Sequence, residues 1–217
     1  REENADREHL QTERRFMFAS VFSATISGME VHLIKVEADV SDGLPSFTMV
    51  GLPSTQVKEA QDRVRTALKN NGIALPPKRI TVNLAPADIR KEGAGFDLPL
   101  AAAVLAAAGV LSAEQLGNVM MAGEIGLNGE IHAVSGILPM IIRAREEKCR
   151  FCVVPYDNLK EAHLIPDMKV IGVADLQEMI RYVSAPDSYK KAVETGKKSP
   201  QENSVDFCEI HGQESLK

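Results

Sequence analysis

Aromatic side chains are scarce in this sequence: tryptophan is absent, and aromatic residues make up 5% of the 217 residues. Proteins that hold single-stranded nucleic acid without sequence preference stack its bases on aromatic rings, so the scarcity argues against that kind of platform. Three cysteines provide no regular disulfide framework, which favours a reducing compartment. No apolar run approaches the roughly 18 residues of a membrane span, and the charged N-terminal segment has no apolar signal core. We therefore expect a cytoplasmic protein with no membrane partner.

Charge is distributed unevenly along the chain. The formal net charge is -5, yet residues 58–91 contain eight basic and only three acidic residues. We expect Arg63 and Lys69 to lie opposite the apolar stripe of a helix, and Arg90 and Lys91 to lie on an exposed loop. These four cations would then form a DNA-binding patch of sequence-independent phosphate contacts. A solvated face without a ligand is the alternative interpretation.

The chain is organised around residues 79–110, which predict a strand, an exposed loop and a buried helix. Apolar and polar residues alternate from Ile80 to Leu84, the pattern of a half-buried strand. Gly93 and Gly95 allow the following loop a positive φ or a close backbone approach. Asp97 suits a helix N-cap. Residues 98–108 are almost entirely alanine, leucine and valine, which predicts a helix that is buried on all sides.

The flanking segments predict further strands and helices. Three alternating stretches between residues 18 and 50 predict a β-meander. A helix follows, with Gly72 just beyond its end and with an apolar face made of Val57, Ala60, Val64, Ala67 and Leu68. Short strands alternate with helices from residue 119 to residue 183, and Asn128-Gly129 favours a type I′ hairpin turn. We expect an α+β fold with a mixed sheet and packed helices.

Composition divides the chain into four parts. Residues 1–16 are a polar extension that precedes Met17, and residues 17–183 form the folded domain. Residues 184–205 are rich in proline, lysine, serine and glutamate, as in a linker. Residues 206–217 regain apolar character and are interpreted as the start of a further domain.

Common catalytic and metal-binding patterns fail on residue type or spacing. The glycine loop contains no serine that could act as a nucleophile. Cys149 and Cys152 have C-x-x-C spacing but no second pair of ligands. The five histidines show no metal-binding spacing. We expect no metal site, and we interpret the two cysteines as structural.

Several motifs, in order, resemble one protein family. They include MFASVFSATISGMEVHLIKVEADVSDGLPSFTMVGLPSTQVKEAQDRVRTAL and VNLAPADIRKEGAGFDLPLAAAVL. Residues 17–183 resemble the N-terminal domain of the ComM/YifB family of Mg-chelatase-like AAA+ ATPases. That domain is similar to the proteolytic domain of Lon, which has a ribosomal-S5-domain-2-like fold. The resemblance places the Lon nucleophilic serine at Gly95 and its lysine at Leu138, so neither catalytic side chain is present.

The resemblance implies a non-catalytic domain within a larger ATPase. Ile210, Gly212 and Gln213 resemble the adenine side of the family's nucleotide site, whereas ATP and Mg²⁺ would be bound by an AAA+ module further along the chain. It also implies a homo-hexamer that acts on DNA, with branch migration during natural transformation as its context. Two alternatives stay open: a Lon-like serine peptidase whose nucleophile is displaced to Ser135, and a protein-binding adaptor domain.

Overall fold

The computed structural model describes residues 18–189, which form a mixed sheet with helices on both faces. The strands are β1 (Phe18–Ser27), β2 (Glu30–Ser41), β3 (Ser46–Val50), β4 (Arg79–Ala85), β5 (Val119–Met121), β6 (Glu124–Ile125), β7 (Ile131–His132), β8 (Phe151–Pro155) and β9 (Val170–Val173). The α-helices are α1 (Thr55–Asn70), α2 (Asp97–Ala107), α3 (Ala113–Leu116), α4 (Ile137–Glu146), α5 (Leu159–Ala162) and α6 (Leu176–Ser184), and 3₁₀ turns span Ala94–Phe96 and Tyr156–Asn158.

The main sheet has seven strands in the order β3-β4-β2-β1-β5-β8-β9. The β1–β2 hairpin and the β2–β4 pair are antiparallel, whereas the β3–β4, β1–β5, β5–β8 and β8–β9 pairs are parallel. The predicted α+β fold with a mixed sheet is thus confirmed. The predicted meander is wrong, because β4 lies between β2 and β3. Helix α1 provides the crossover that a parallel β3–β4 pair requires.

Helices α1 and α2 cover one face of the sheet and form the main core. The predicted apolar face of α1 is buried from Val57 to Leu68, and Gly72 follows it with a φ of 74°. Every residue of α2 is buried, as its composition predicts. Ser54 caps α1 by accepting a hydrogen bond from the Val57 N–H at 3.3 Å. Burial of apolar area by these two helices stabilises the fold at about 25 cal/mol per Å².

The opposite face of the sheet is covered over only part of its width. Helix α4 packs there against β1 and β2 and forms a second apolar cluster. Further across the face, Glu37 on β2 accepts hydrogen bonds from Asn83 at 2.9 Å and from Lys35 at 2.9 Å. Burial by itself would raise the pKa of Glu37, but these two hydrogen bonds outweigh burial and lower it. Lys35, Glu37 and Asn83 are all half-buried, and these bonds give the charges of Lys35 and Glu37 a partner within the protein.

The type of turn predicted between β6 and β7 differs from the structure. Strands β6 and β7 do form a hairpin, but Gly129 N–H donates to Gly126 C=O at 2.8 Å, so the turn is centred on Leu127 and Asn128. Asn128 has no positive φ, which excludes the predicted type I′ turn. Asn70 and Asn71 at the end of α1 bond this loop and fix its path.

The domain boundaries stay predictions. The segments 1–16 and 206–217 lie outside the described residues, and so does most of the linker assigned to residues 184–205.

Candidate functional site

A cleft of about 400 Å³ opens where β1 separates from β5. The two strands are in register only at Phe22 and Met120, so within residues 18–189 the last residues of β1 have no strand neighbour on that side. The cleft is lined by β1, by the glycine loop and by the segment after β7, through Ala24, Ile26, Glu92, Gly93, Ala94, Gly95, Phe96, Glu124, Ala133, Val134, Ser135 and Met140. The sequence pattern did not reveal this gap, because alternation does not show where two strands diverge.

Backbone hydrogen bonds hold the glycine loop against the cleft. Gly93 takes a φ of 91°, which turns the chain into the 3₁₀ turn before α2. Gly123 N–H donates to Gly95 C=O at 3.0 Å, and Leu98 N–H donates to Gly123 C=O at 3.0 Å. These two bonds attach the loop to the segment after β5. Of the two possibilities that the sequence allowed, a positive φ occurs at Gly93, and Gly95 instead lies close to the backbone of Gly123.

The two residues that the Lon resemblance assigns to the dyad positions, Gly95 and Leu138, contribute no catalytic group to this cleft. Gly95 lines it, and a Cβ atom placed there would approach Ala122 Cβ at 3.8 Å and Val134 Cγ2 at 3.9 Å, which are ordinary contacts. The space for a small side chain is therefore present, but glycine leaves it without one. Leu138 is half-buried on α4 and is not among the residues that line the cleft.

Ser135 lies at the cleft, where the described lining residues place no lysine or histidine beside it. The ionisable groups among the lining residues are Glu92 and Glu124. Glu92 already accepts a charge-assisted bond from Arg90 Nε at 2.9 Å. A serine nucleophile requires an adjacent base or a lowered pKa. Among the described residues that line the cleft, only the carboxylates of Glu92 and Glu124 could act as such a base, and neither forms a hydrogen bond to Ser135.

Arg63 is a half-buried counter-ion whose side chain is 23% exposed, and whether it also contacts DNA stays a prediction. Its Nε and Nη2 donate to the two carboxylate oxygens of Asp97 at 2.8 and 2.9 Å. Asp97 is fully buried and also accepts from the Ile125 N–H at 3.1 Å. Hydrogen bonding to Asp97 raises the pKa of Arg63. The pair joins α1, α2 and β6.

Asp97 itself is the first residue of α2 and not its N-cap. The cap position belongs to Phe96, which has no side chain that can accept a hydrogen bond. The carboxylate still lies at the positive end of the helix dipole, but its hydrogen bonds go to Arg63 and to the Ile125 N–H. A charged residue at the start of an otherwise apolar helix was the one sequence signal that could have indicated this pair.

Lys91 is buried, although its place on a loop predicted exposure. Its side chain is 0% exposed, and its Nζ donates to the Pro86 carbonyl. Its backbone N–H donates to the Leu52 C=O at 3.3 Å, and its backbone C=O accepts a hydrogen bond from the Ser54 N–H at 3.0 Å. Burial lowers the pKa of Lys91, and attraction to Asp88 offsets part of that effect. In this conformation Lys91 does not reach a phosphate; it holds the loop against the start of α1.

Lys69 and Arg90, the other two predicted DNA contacts, are exposed but far apart. Arg90 precedes Lys91, which bonds Ser54 at the N-terminal end of α1. Lys69 lies in the last turn of the same helix. A rise of 1.5 Å per residue puts these two ends about 20 Å apart. The four cations therefore do not form one patch, and whether Lys69 and Arg90 contact DNA stays a prediction.

The described residues contain two cysteines and none of the predicted nucleotide contacts. Cys149 and Cys152 are free thiols in the apolar cluster, and burial raises the pKa of Cys152 well above its ordinary value. Within residues 18–189, no three His, Cys, Asp or Glu side chains are grouped closely enough to hold a metal. Ile210, Gly212 and Gln213 lie outside the described residues.

Comparison with known proteins identifies the class of protein. The model of the family described as subunit ChlI of Mg-chelatase matches residues 36–158, which is more than half of the chain. The chain therefore belongs to the Mg-chelatase-like family that includes ComM and YifB.

Two of its relatives share most of the chain. Competence protein ComM of Haemophilus influenzae is 39% identical over 203 residues, which cover 92% of this chain and 40% of ComM. YifB of Escherichia coli is 38% identical over 190 residues, which cover 88% of this chain and 37% of YifB. The chain thus spans about two fifths of the length of these relatives.

The chain is also similar, at lower sequence identity, to a protease. Lon protease 2 of Bacillus subtilis is 27% identical over 128 residues, which cover 58% of this chain and 22% of the protease. Within the described range, no helix is both long enough and apolar enough to cross a bilayer.

Proposed function

We propose that this chain is the non-catalytic, Lon-like N-terminal domain of a Mg-chelatase-like AAA+ ATPase. The observation that carries the proposal is the cleft beside Gly95. The Lon resemblance places the dyad at Gly95, which lines this cleft, and at Leu138, and these residues can neither attack a carbonyl nor transfer a proton. Family membership and the similarity to Lon protease 2 support the same reading.

The full protein, in this proposal, is a cytoplasmic homo-hexamer that hydrolyses ATP with Mg²⁺ and moves DNA. ComM is named a competence protein, which supports natural transformation as the process, and branch migration is the step that we propose within it. ATP and Mg²⁺ would bind outside residues 18–189, with Ile210, Gly212 and Gln213 on the adenine side. Residues 18–189 would position subunits in the assembly and present Lys69 and Arg90 to DNA phosphates.

The peptidase alternative is tested by active-site labelling. The 217-residue protein and its Ser135→Ala variant are incubated with a fluorophosphonate probe, with a known serine protease as the positive control. The proposal predicts no labelling of either protein above the level of a heat-denatured sample. Labelling of the wild type that Ser135→Ala abolishes would establish a displaced nucleophile and contradict a non-catalytic domain.

A further inference from the structure

Strand β3 is an unprotected edge of the main sheet. It pairs only with β4, and no strand of the described chain lies on its other side. Soluble proteins usually block such an edge with lysine, proline or a β-bulge. Strand β3 reads Ser-Phe-Thr-Met-Val, and its register with β4 runs unbroken from Ser46 to Val50. None of the usual blocking devices is present on the strand.

The phase of the β3–β4 ladder fixes which backbone groups are free. Ser46 N–H donates to the Lys78 carbonyl at 3.4 Å. In a parallel ladder, alternate residues bond the same neighbour, so Ser46, Thr48 and Val50 bond β4. The N–H and C=O groups of Phe47 and Met49 therefore point away from the sheet. An incoming strand would meet two donors and two acceptors in alternation.

A cavity of about 370 Å³ with cations at its rim lies next to this edge. Phe47, Ile73 and Leu75 provide its apolar surface, and Arg65, Lys69 and Lys78 provide its charge. Lys78 has a counter-ion in Asp42 at 3.1 Å. Arg65 and Lys69 form no ion pair with the rest of the described chain. The result is a local positive surplus in a chain of net charge -5.

Exposed apolar side chains surround the same edge. Leu44 is 84% exposed, Val50 is 44% exposed and Leu52 is 54% exposed. They flank β3 in sequence at both ends and include its last residue. Apolar side chains of a bound strand would remove this surface from water, at about 25 cal/mol for each Å² that is covered.

We propose that β3 binds an extended acidic segment of a partner protein as an additional strand of the sheet. The partner's backbone pairs with Phe47 and Met49, its carboxylates face Arg65 and Lys69, and its apolar or β-branched side chains cover Val50. Main-chain bonds supply affinity in this recognition mode, and alternate side chains supply specificity. The proposal is independent of whether the cleft at Gly95 is catalytic.

The chemistry of the edge favours a polypeptide over the other occupants. A DNA backbone offers phosphate acceptors but no donors, so the carbonyls of Phe47 and Met49 would stay unpaired against it. A second copy that paired β3 with β3 would bring two sets of Arg65 and Lys69 together. An acidic strand satisfies both the donors and the acceptors and also neutralises the cations.

The test uses the 217-residue protein and two short fluorescent peptides. One peptide alternates glutamate with valine, and the other alternates lysine with valine. Titration by fluorescence anisotropy should give saturable binding of the glutamate peptide and at least about tenfold weaker binding of the lysine peptide. Amide exchange measured by NMR should slow at Phe47 and Met49 when the glutamate peptide is bound.

Two pairs of variants locate the binding site. Met49→Pro removes an outward N–H and should abolish binding, whereas Met49→Ala removes the same side chain but keeps the N–H and should retain binding. Arg65→Glu combined with Lys69→Glu should weaken binding at least about tenfold. Arg145→Glu combined with Lys160→Glu reverses two exposed cations elsewhere and should leave binding unchanged. The charge reversals keep the test valid if Met49→Pro unfolds, which thermal melts would reveal.

Three results would overturn the proposal. The first is no saturable binding of the glutamate peptide, or binding that Arg65→Glu with Lys69→Glu does not weaken. The second is binding of the glutamate peptide that a well-folded Met49→Pro preserves, because that would assign the binding to the cations alone and not to pairing at the strand edge. The third is concentration-dependent self-association that Met49→Pro removes, because that would make a second copy the occupant.

Discussion

Asp97 is a carboxylate that α2 buries completely, and Arg63 is its counter-ion. Asp97→Ala should lower the free energy of unfolding by about 1.5–3 kcal/mol, because it removes the charge-assisted bonds to Arg63, whose side chain keeps 23% of its surface exposed. The Ile125 N–H would also lose its acceptor. Urea unfolding of the two proteins measures the difference.

Glu59 provides the matched control for this prediction, since it approaches the same guanidinium at 3.8 Å but is 62% exposed. Glu59→Gln should change the unfolding free energy by less than about 1 kcal/mol, because water screens an exposed pair. Equal losses of unfolding free energy in Asp97→Ala and Glu59→Gln would contradict this prediction, because the buried pair would then stabilise the fold no more than the exposed pair does.

The burial of Lys91 predicts that the stability of the folded protein increases with pH. Burial lowers its pKa in the folded protein, so the unfolded chain holds the proton more tightly than the folded chain does. Raising the pH therefore stabilises the folded state through this group, in the window that ends near the ordinary lysine pKa of about 10.4. The difference in unfolding free energy between wild type and Lys91→Met should rise with pH through that window and level off above it.

Urea unfolding at a series of pH values measures this difference, and groups common to both proteins cancel in the subtraction. A difference that is flat or falls with pH would contradict the burial of a charged Lys91.

The sequence predicts poorly which charged side chains are buried. Helical periodicity placed Arg63 away from the apolar stripe of α1, but its partner Asp97 lies 34 residues further along the chain and only the fold brings them together. Lys91 follows Arg90 in a polar stretch, and nothing local separates the exposed side chain from the buried one. The burial of Arg63 and of Lys91 depends on contacts with residues far away in the sequence, and helical periodicity does not predict such contacts.

At the scale of elements, Gly51 links β3 to α1 where the chain passes close to β4. It has a φ of 95°, and a Cβ atom there would collide with the backbone carbonyl of Leu84. Gly51→Ala should therefore cost more than about 3 kcal/mol, since strained backbone and overlap act together. Gly28 in the β1–β2 turn has a φ of 61° and open space around it, so Gly28→Ala should cost only about 1–2 kcal/mol.

Thermal or urea unfolding of the two alanine variants tests this contrast. Equal costs at Gly51 and Gly28 would contradict the close approach of the β3–α1 connection to Leu84.

Helices and strands were predictable from periodicity or from uniformly apolar composition, but the order of the strands was not. Alternation in β1, β2 and β3 located these strands, and the uniform burial of α2 follows from its composition. The insertion of β4 between β2 and β3 depends on α1 acting as a crossover. The cleft could not be predicted for the same reason, since it arises where β1 and β5 part after Phe22 and Met120.

At the scale of the whole molecule, the chain covers about two fifths of ComM, so the action of the full protein on DNA is a proposal about a larger assembly. Lys69 and Arg90 are the two predicted contacts that are exposed. Reversing the charge of Lys91 by substitution with glutamate would place a carboxylate in a buried site, so that variant would test folding rather than DNA binding. The informative variant is therefore Lys69→Glu combined with Arg90→Glu.

The central claim is that residues 18–189 contact DNA in a larger motor, and salt-dependent binding by the full-length protein tests it most directly. Duplex DNA is titrated over a range of salt concentrations, with and without ATP. The account predicts that affinity falls steeply with salt, and that Lys69→Glu with Arg90→Glu weakens binding and reduces the log–log salt slope by about two. Arg145→Glu with Lys160→Glu should change neither quantity. Affinity and slope that stay unchanged in the Lys69/Arg90 variant, or after deletion of residues 1–184, would contradict the account.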